Sequence, residues 1–222
     1  MEDLTLVIPA KYESDSLPRV IEELQKYKCK ILVLLEKSDT ETINSIEKFD
    51  ITKIYQSKKG YGNAIREGIQ NVKTEYICTY YADGSCDPKF LKDKLDLCKK
   101  DYDFIFSSRY LKNAGSDDDT LITKIGNFFF TMIGNIFFKL SISDILFTYV
   151  IGKTESFKKL DLYSDDFCLC VEIPIKAKKL NMKFRDYPSY ERKRIAGFKK
   201  VNEFKDGFKI LSFMFFEFFK KQ

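Results

Sequence analysis

Asp83 and Asp87 stand four apart in the run Tyr80-Tyr81-Ala82-Asp83-Gly84-Ser85-Cys86-Asp87-Pro88, directly after the strand-like segment Glu75-Tyr76-Ile77-Cys78-Thr79. A carboxylate just past the carboxyl end of an apolar strand, among small residues, is placed to hold a divalent cation against a diphosphate, because open α/β sheets bind ligands along that edge. The same letters also spell an ordinary Asp-Gly turn. The 222 residues include no histidine, which excludes Ser-His-Asp and Cys-His catalysis and HExxH zinc sites. A general base must then be a carboxylate, a lysine, a tyrosine, a cysteine or the substrate itself.

The elements that would position these groups alternate through the first half. Leu4 to Ile8, Lys30 to Leu35, Lys53 to Gln56, Glu75 to Thr79 and Phe104 to Phe106 read as strands. Between them Arg19 to Tyr27, Thr40 to Phe49, Tyr61 to Val72 and Pro88 to Lys100 read as helices, with Ser16 as an N-cap and Pro18 in a first turn. Apolar strands alternating with helices imply an α/β fold with a mostly parallel sheet covered on both faces. The length suits one well-buried domain. Six cysteines without a CxxC pair, and no signal-peptide pattern, suggest reduced and mostly buried thiols in a cytoplasmic protein. Cys168 and Cys170, two apart, would share one face of a strand and need no metal. A net charge of +5 with dispersed lysines favours an anionic partner over nucleic acid.

Two Phe-rich segments set the second half apart. Thr120 to Lys139 carries Phe128, Phe129, Phe130, Phe137 and Phe138 between Lys124 and Lys139. Its apolar stretch reads as shorter than the roughly 18 to 20 residues that span a bilayer. Phe204 to Lys221 repeats the composition, flanked by Lys205, Lys209, Lys220 and Lys221. Such helices fit a membrane interface. They equally fit a core or a homo-oligomer contact, since buried helices are also apolar all round.

Two nucleotide motifs fail on inspection. Gly152-Lys153-Thr154 lacks the earlier glycine of a P-loop, its place being taken by Phe147, and Gly60-Tyr61-Gly62 has Ile65 where a dinucleotide fingerprint needs its third glycine. Read in order, however, five segments resemble family 2 glycosyltransferases, and among them the polyprenyl-phosphate (dolichol-phosphate) sugar transferases. Val7-Ile8-Pro9-Ala10-Lys11-Tyr12-Glu13 resembles the opening VIPAYNE, and Lys59-Gly60-Tyr61-Gly62-Asn63-Ala64 with Gly68 resembles KGxGxA...G. Tyr81-Ala82-Asp83-Gly84 stands in the place of DADG, Ser108-Arg109-Tyr110 matches SRY, and Arg194 to Lys200 resembles RxxGxSK.

The resemblance implies a GT-A fold, a Rossmann-like mixed sheet, over residues 1–200, with a nucleotide-sugar-binding half at 1–110, an acceptor half at 111–200, and a C-terminal amphipathic helix at 201–222. It implies an inverting transfer from a GDP- or UDP-sugar to a lipid-linked acceptor, either a polyprenyl phosphate or a growing surface glycan, at the inner face of the membrane. A transferase acting on a sugar hydroxyl in surface polysaccharide synthesis and a catalytically weak nucleotide-sugar-binding protein are the alternatives. By the resemblance Pro9, Ala10, Glu13, Glu36, Lys59, Gly60 and Ala82 would contact the nucleotide sugar. Asp83 would hold Mg²⁺ or Mn²⁺ on the diphosphate, with Asp87 in reserve, and Arg109, Arg194 and Lys200 would be the phosphate-binding cations. Asp144 and Glu172 stand where related enzymes carry acceptor-side acids, and either could be a base for a hydroxyl acceptor; a phosphate acceptor would need none. Tyr81 replaces the first acid of the metal motif, and Leu35-Glu36 replaces two acids after the second strand. The run Ser116-Asp117-Asp118-Asp119-Thr120 reads as a solvated loop leading to a helix N-cap.

Overall fold

The computed structural model describes residues 1–220; Lys221 and Gln222, which the sequence places at the end of the last helix, lie outside the described residues. In chain order the strands are Leu4–Ala10 (β1), Lys30–Leu35 (β2), Thr52–Tyr55 (β3), Tyr76–Thr79 (β4), Phe104–Ser108 (β5), Gly115–Ser116 (β6), Val150–Lys153 (β7), Phe184–Pro188 (β8) and Tyr190–Glu191 (β9). The helices are Leu17–Gln25 (α1), Thr40–Ser45 (α2), Tyr61–Asn71 (α3), Leu91–Asp101 (α4), Leu121–Phe138 (α5), Thr154–Lys159 (α6), Leu169–Lys179 (α7) and Glu203–Phe219 (α8).

The main sheet has seven strands in the order β3-β2-β1-β4-β7-β5-β8, and β6 pairs with β9 in a separate ladder. The sheet is mixed, as expected, and largely parallel, because β7 runs antiparallel to both β4 and β5. The carboxyl ends of β1, β2, β4 and β5 therefore gather along one edge. The apolar strand runs are buried on both faces: Val7 packs into one core while Leu6 and Ile8 pack into the other.

Local chemistry shifts several sequence boundaries. The helix expected over Thr40 to Phe49 stops at Ser45. The helix expected from Pro88 begins instead as a 3₁₀ turn, Pro88–Phe90, that hands over to α4. Ser16 precedes α1 without capping it, since its hydroxyl donates to Glu13 Oε2 at 2.5 Å. Cys168 and Cys170 open α7 rather than lying on a strand, and all six thiols are free. Lys94 is fully buried on α4, donating to Ser107 Oγ at 2.7 Å with its ammonium over the Tyr149 ring. Burial lowers its pKa to about 8.

The two Phe-rich helices lie side by side. At 18 residues α5 is, by length and composition, long and apolar enough to cross a membrane, which corrects the shorter stretch read from the sequence. One face of it is packed on the domain through Asn127, Phe130, Thr131 and Gly134. From α8, Ile210 and Met214 enter the main core, and buried Glu217 accepts from Tyr163 Oη at 2.7 Å and from Lys179 Nζ at 2.7 Å. Residues of the final helix thus belong to the packed body, where the sequence suggested an element set apart. The opposite faces are open: Phe128, Phe204 and Phe216 are 71%, 83% and 75% exposed.

Candidate active site

A cavity of about 1020 Å³ opens at the carboxyl edge of the sheet. Pro9 and Ala10 reach it at the end of β1, Glu36 after β2, Gly60 before α3, and Ala82 and Asp83 after β4. Gly60 (φ 135°) lets the chain pass against the Asp165 carbonyl, which an added Cβ would meet at 2.1 Å. Lys59, next to it, is exposed and stands off the cavity wall.

Asp83 lies in an Asx turn. Its Oδ1 accepts from the Ser85 amide at 3.0 Å and the Ser85 hydroxyl at 2.7 Å, which leaves Oδ2 without a protein donor among the described residues. One open carboxylate oxygen suits a Mg²⁺-type ion that takes its other ligands from phosphate and water. Among the described residues no cluster of three or more Asp, Glu, Cys or His side chains is built for a metal. Asp87, the reserve ligand, is turned away: it caps the 3₁₀ turn through the Lys89 amide at 3.0 Å and pairs with Lys89 Nζ at 2.9 Å.

The missing acid is replaced by a neutral plug. Tyr81 Oη lies 2.9 Å from Thr148 Oγ1 and accepts from the Thr148 amide at 2.9 Å, while Tyr61 Oη reaches the same Oγ1 at 2.8 Å. Burial holds both phenols well above their ordinary pKa, so neither offers an anion to a cation.

Several of the cations that line the cavity are held by acids. Lys11 pairs with Glu36 at 2.8 Å, Lys200 with Glu13, Arg194 with Asp118, and Lys209 with Asp166 at 3.0 Å. The Asp118 hydrogen bonds help to raise the Arg194 pKa. Asp118 and its neighbour Asp119 line the cavity, while Asp117 is exposed and Thr120 caps α5 as the expected helix start. Gly84 (φ 82°) admits Ile195, whose amide donates to the Asp83 carbonyl at 2.8 Å, so the segment carrying Arg194 and Lys200 is stitched to the Asp83 loop.

Arg109 also lines the cavity, held by two carboxylates. Its Nε and Nη2 donate to Asp144 at 2.7 and 2.9 Å, and Nη1 donates to Glu191 Oε2 at 3.0 Å. Burial disfavours the guanidinium charge, but these two carboxylates outweigh it and raise the pKa. Asp144 is consequently a buried partner of Arg109 and lies off the cavity wall. Glu172, the other acid expected on the acceptor side, is buried on α7, where it accepts from the Tyr163 and Ser164 amides at 2.8 and 2.9 Å and pairs with Lys176. Both are structural carboxylates here.

Glu191, Thr148 and Tyr61 are cavity residues that the sequence did not single out. Glu191 arrives through the two-residue β6–β9 ladder, too short to leave a periodic signal. Beyond the charged floor the wall becomes apolar: Ile122, Ile125 and Phe129 of α5 face Phe198 and Phe204. A polar floor for an anionic ligand thus continues into a trough for an apolar one.

Comparison with known proteins agrees with this architecture. The family model described as glycosyl transferase family 2 matches residues 5–161. Among solved structures, glucosyl-3-phosphoglycerate synthase from Mycobacterium tuberculosis in complex with Mn²⁺, UDP and phosphoglyceric acid is similar at TM-score 0.73 and 11% identity, covering 99% of this chain and 79% of that one. The same enzyme with Mn²⁺, UDP and glucosyl-3-phosphoglycerate gives TM-score 0.76 at 11% identity, over 99% and 81% of the two chains. With Mg²⁺ and UDP it gives 0.72 at 10% identity, over 99% and 80%.

Proposed function

Since the chain belongs to glycosyl transferase family 2, we propose that this glycosyltransferase moves a sugar, with inversion, from a nucleoside diphosphate donor to an acceptor carried on a lipid. The observation that carries this reading is the continuity of the charged floor around Asp83 with the apolar trough between α5 and the segment entering α8. The solved relatives bound to UDP with Mn²⁺ or Mg²⁺ support a uridine nucleotide and a divalent cation. GDP remains the second donor to test.

In this reading Lys11 and Glu36 meet the nucleoside, and Arg194 and Lys200, held in place by Asp118 and Glu13, meet the diphosphate. Asp83 Oδ2 would hold the divalent cation, which when bound neutralises charge on the leaving diphosphate. The acceptor oxygen attacks the anomeric carbon opposite the nucleotide, the bond from carbon to diphosphate oxygen breaks, and its electron pair leaves with the nucleotide. The exposed phenylalanines of α5 and α8, with lysines at their margins, would seat the protein on the cytoplasmic face of a membrane.

A panel of UDP- and GDP-sugars incubated with the protein on anionic vesicles carrying lipid-linked acceptors tests the reading: radiolabel should enter the lipid phase. Label that enters only soluble products removes the lipid acceptor. Tyr81 in place of an acid favours a second reading, a nucleotide-sugar-binding protein with little turnover. Cation-dependent nucleotide binding without nucleotide release from any donor sugar would select it.

A further inference from the structure

We infer that Glu191 is the base that takes the acceptor's proton, and that the reacting group of the acceptor is accordingly a hydroxyl; the inference rests on the glycosyltransferase reading above. The carboxylates around the phosphate end of the cavity differ in what they have left to offer. Asp118 gives both oxygens to Arg194, and Asp119 gives Oδ2 to Tyr110 and Oδ1 to Thr123. Asp83 keeps Oδ2 for the cation in the reading above. Glu191 gives only Oε2, which accepts from Arg109 Nη1 at 3.0 Å and Ser116 Oγ at 2.5 Å. Its Oε1 has no protein donor among the described residues, and the side chain lines the cavity.

Its backbone fixes it beside the Asp83 loop. Glu191 bridges to Cys86, the next residue's amide donates to the Ser85 carbonyl at 2.8 Å, and the Asp117 amide donates to the Glu191 carbonyl at 2.8 Å. Arg109 is the positioning residue: Asp144 holds the guanidinium from one side, and the remaining nitrogen holds Oε2, leaving Oε1 free of protein donors. Burial raises the Glu191 pKa and Asp118 adds to it, with Arg109 and Ser116 pulling it back, so the carboxylate is a stronger base than one in water.

The step balances. Glu191 Oε1 takes the hydroxyl proton, the hydroxyl oxygen bonds to the anomeric carbon, and the diphosphate leaves with the electron pair of the broken bond. A phosphate acceptor already presents an unprotonated oxygen, and its charge would be repelled by a fixed carboxylate. A hydroxyl needs what Glu191 supplies.

Full-length wild type, Glu191→Gln and Glu191→Ala are compared in three assays: calorimetric binding of UDP and GDP with Mn²⁺, sugar transfer to an alkyl glycoside, and transfer to a polyprenyl phosphate. Wild type should prefer the glycoside. Glu191→Gln, which retains an oxygen for Arg109, should bind nucleotide within about twofold of wild type yet transfer about 10²–10⁴-fold more slowly. Added formate should restore part of the activity of Glu191→Ala, an effect that a purely structural role would not produce. Wild-type rates in the Gln variant, transfer by wild type to polyprenyl phosphate alone, or loss of Mn²⁺-linked nucleotide affinity in the Gln variant would each overturn the assignment. A wild type that binds neither nucleotide sinks the glycosyltransferase reading itself, and this assignment with it.

Discussion

At the scale of single residues, the site is defined as much by its substitutions as by its matches. Tyr12 sits at φ 54°, a left-handed backbone that disfavours large side chains, while its amide donates to Asp39 Oδ2 at 2.6 Å. Tyr12→Asn should stabilise the fold by about 0.5–1 kcal/mol, seen as a higher urea midpoint, because Asn tolerates this conformation. Tyr81→Phe deprives the buried Thr148 amide of its acceptor and should cost about 1–3 kcal/mol in the same measurement. Asp83→Ala should abolish the Mn²⁺ dependence of nucleotide binding in calorimetry; an unchanged dependence would remove the cation from Asp83. Asp83 was legible because it follows an apolar strand within a short stretch of chain. Glu191 was not, since its importance comes from Arg109, 82 residues earlier, and from a ladder of two residues per strand. Asp144 and Glu172 misled for a related reason: acids in the right half of the chain are alike in sequence, and only packing shows that Arg109, Lys176 and buried amides consume them.

At the scale of elements, α8 is both a core helix and an exposed one. Its amphipathicity was readable from the sequence, but not that Ile210 and Met214 complete the main core. Removing the Glu217 carboxylate takes the acceptor from Tyr163 Oη and one ion-pair contact from Lys179. Glu217→Ala should cost about 1–3 kcal/mol in urea unfolding. Replacing exposed Phe208, Phe215 and Phe216 together by serine should leave that stability within about 0.5 kcal/mol while lowering flotation with anionic vesicles. Undiminished flotation would assign membrane contact to another surface. The first four strands were recovered within a few residues of their positions because β1, β2 and β4 are local apolar runs and β3 follows from the strand–helix alternation. β7 escaped notice, as a four-residue strand within Val150-Ile151-Gly152-Lys153 gains its identity only from partners on both sides.

At the scale of the whole molecule, Lys94 ties stability to pH. Its folded pKa of about 8 lies below the ordinary 10.5, so between these values the unfolded chain holds a proton that the folded one has released. Folding stability contributed by this group therefore rises with pH across the window, and the full penalty applies below pH 8. Lys94→Met should gain stability over wild type at pH 7, and that advantage should shrink by up to about 3 kcal/mol as pH approaches 10.5. An advantage independent of pH would mean that the lysine does not titrate in the fold. The position of β7 has a kinetic consequence as well. It sits between β4 and β5 yet follows β4 by about 70 residues of chain, so the sheet joins its two halves only after a long loop has closed. The β3-β2-β1-β4 half can collapse early around local contacts, but in that intermediate Thr148 has not reached Tyr81 or Tyr61. Refolding followed by nucleotide binding should therefore lag behind refolding followed by early secondary structure, because the segment leading into the strand that closes the sheet also brings Thr148 to the cavity wall.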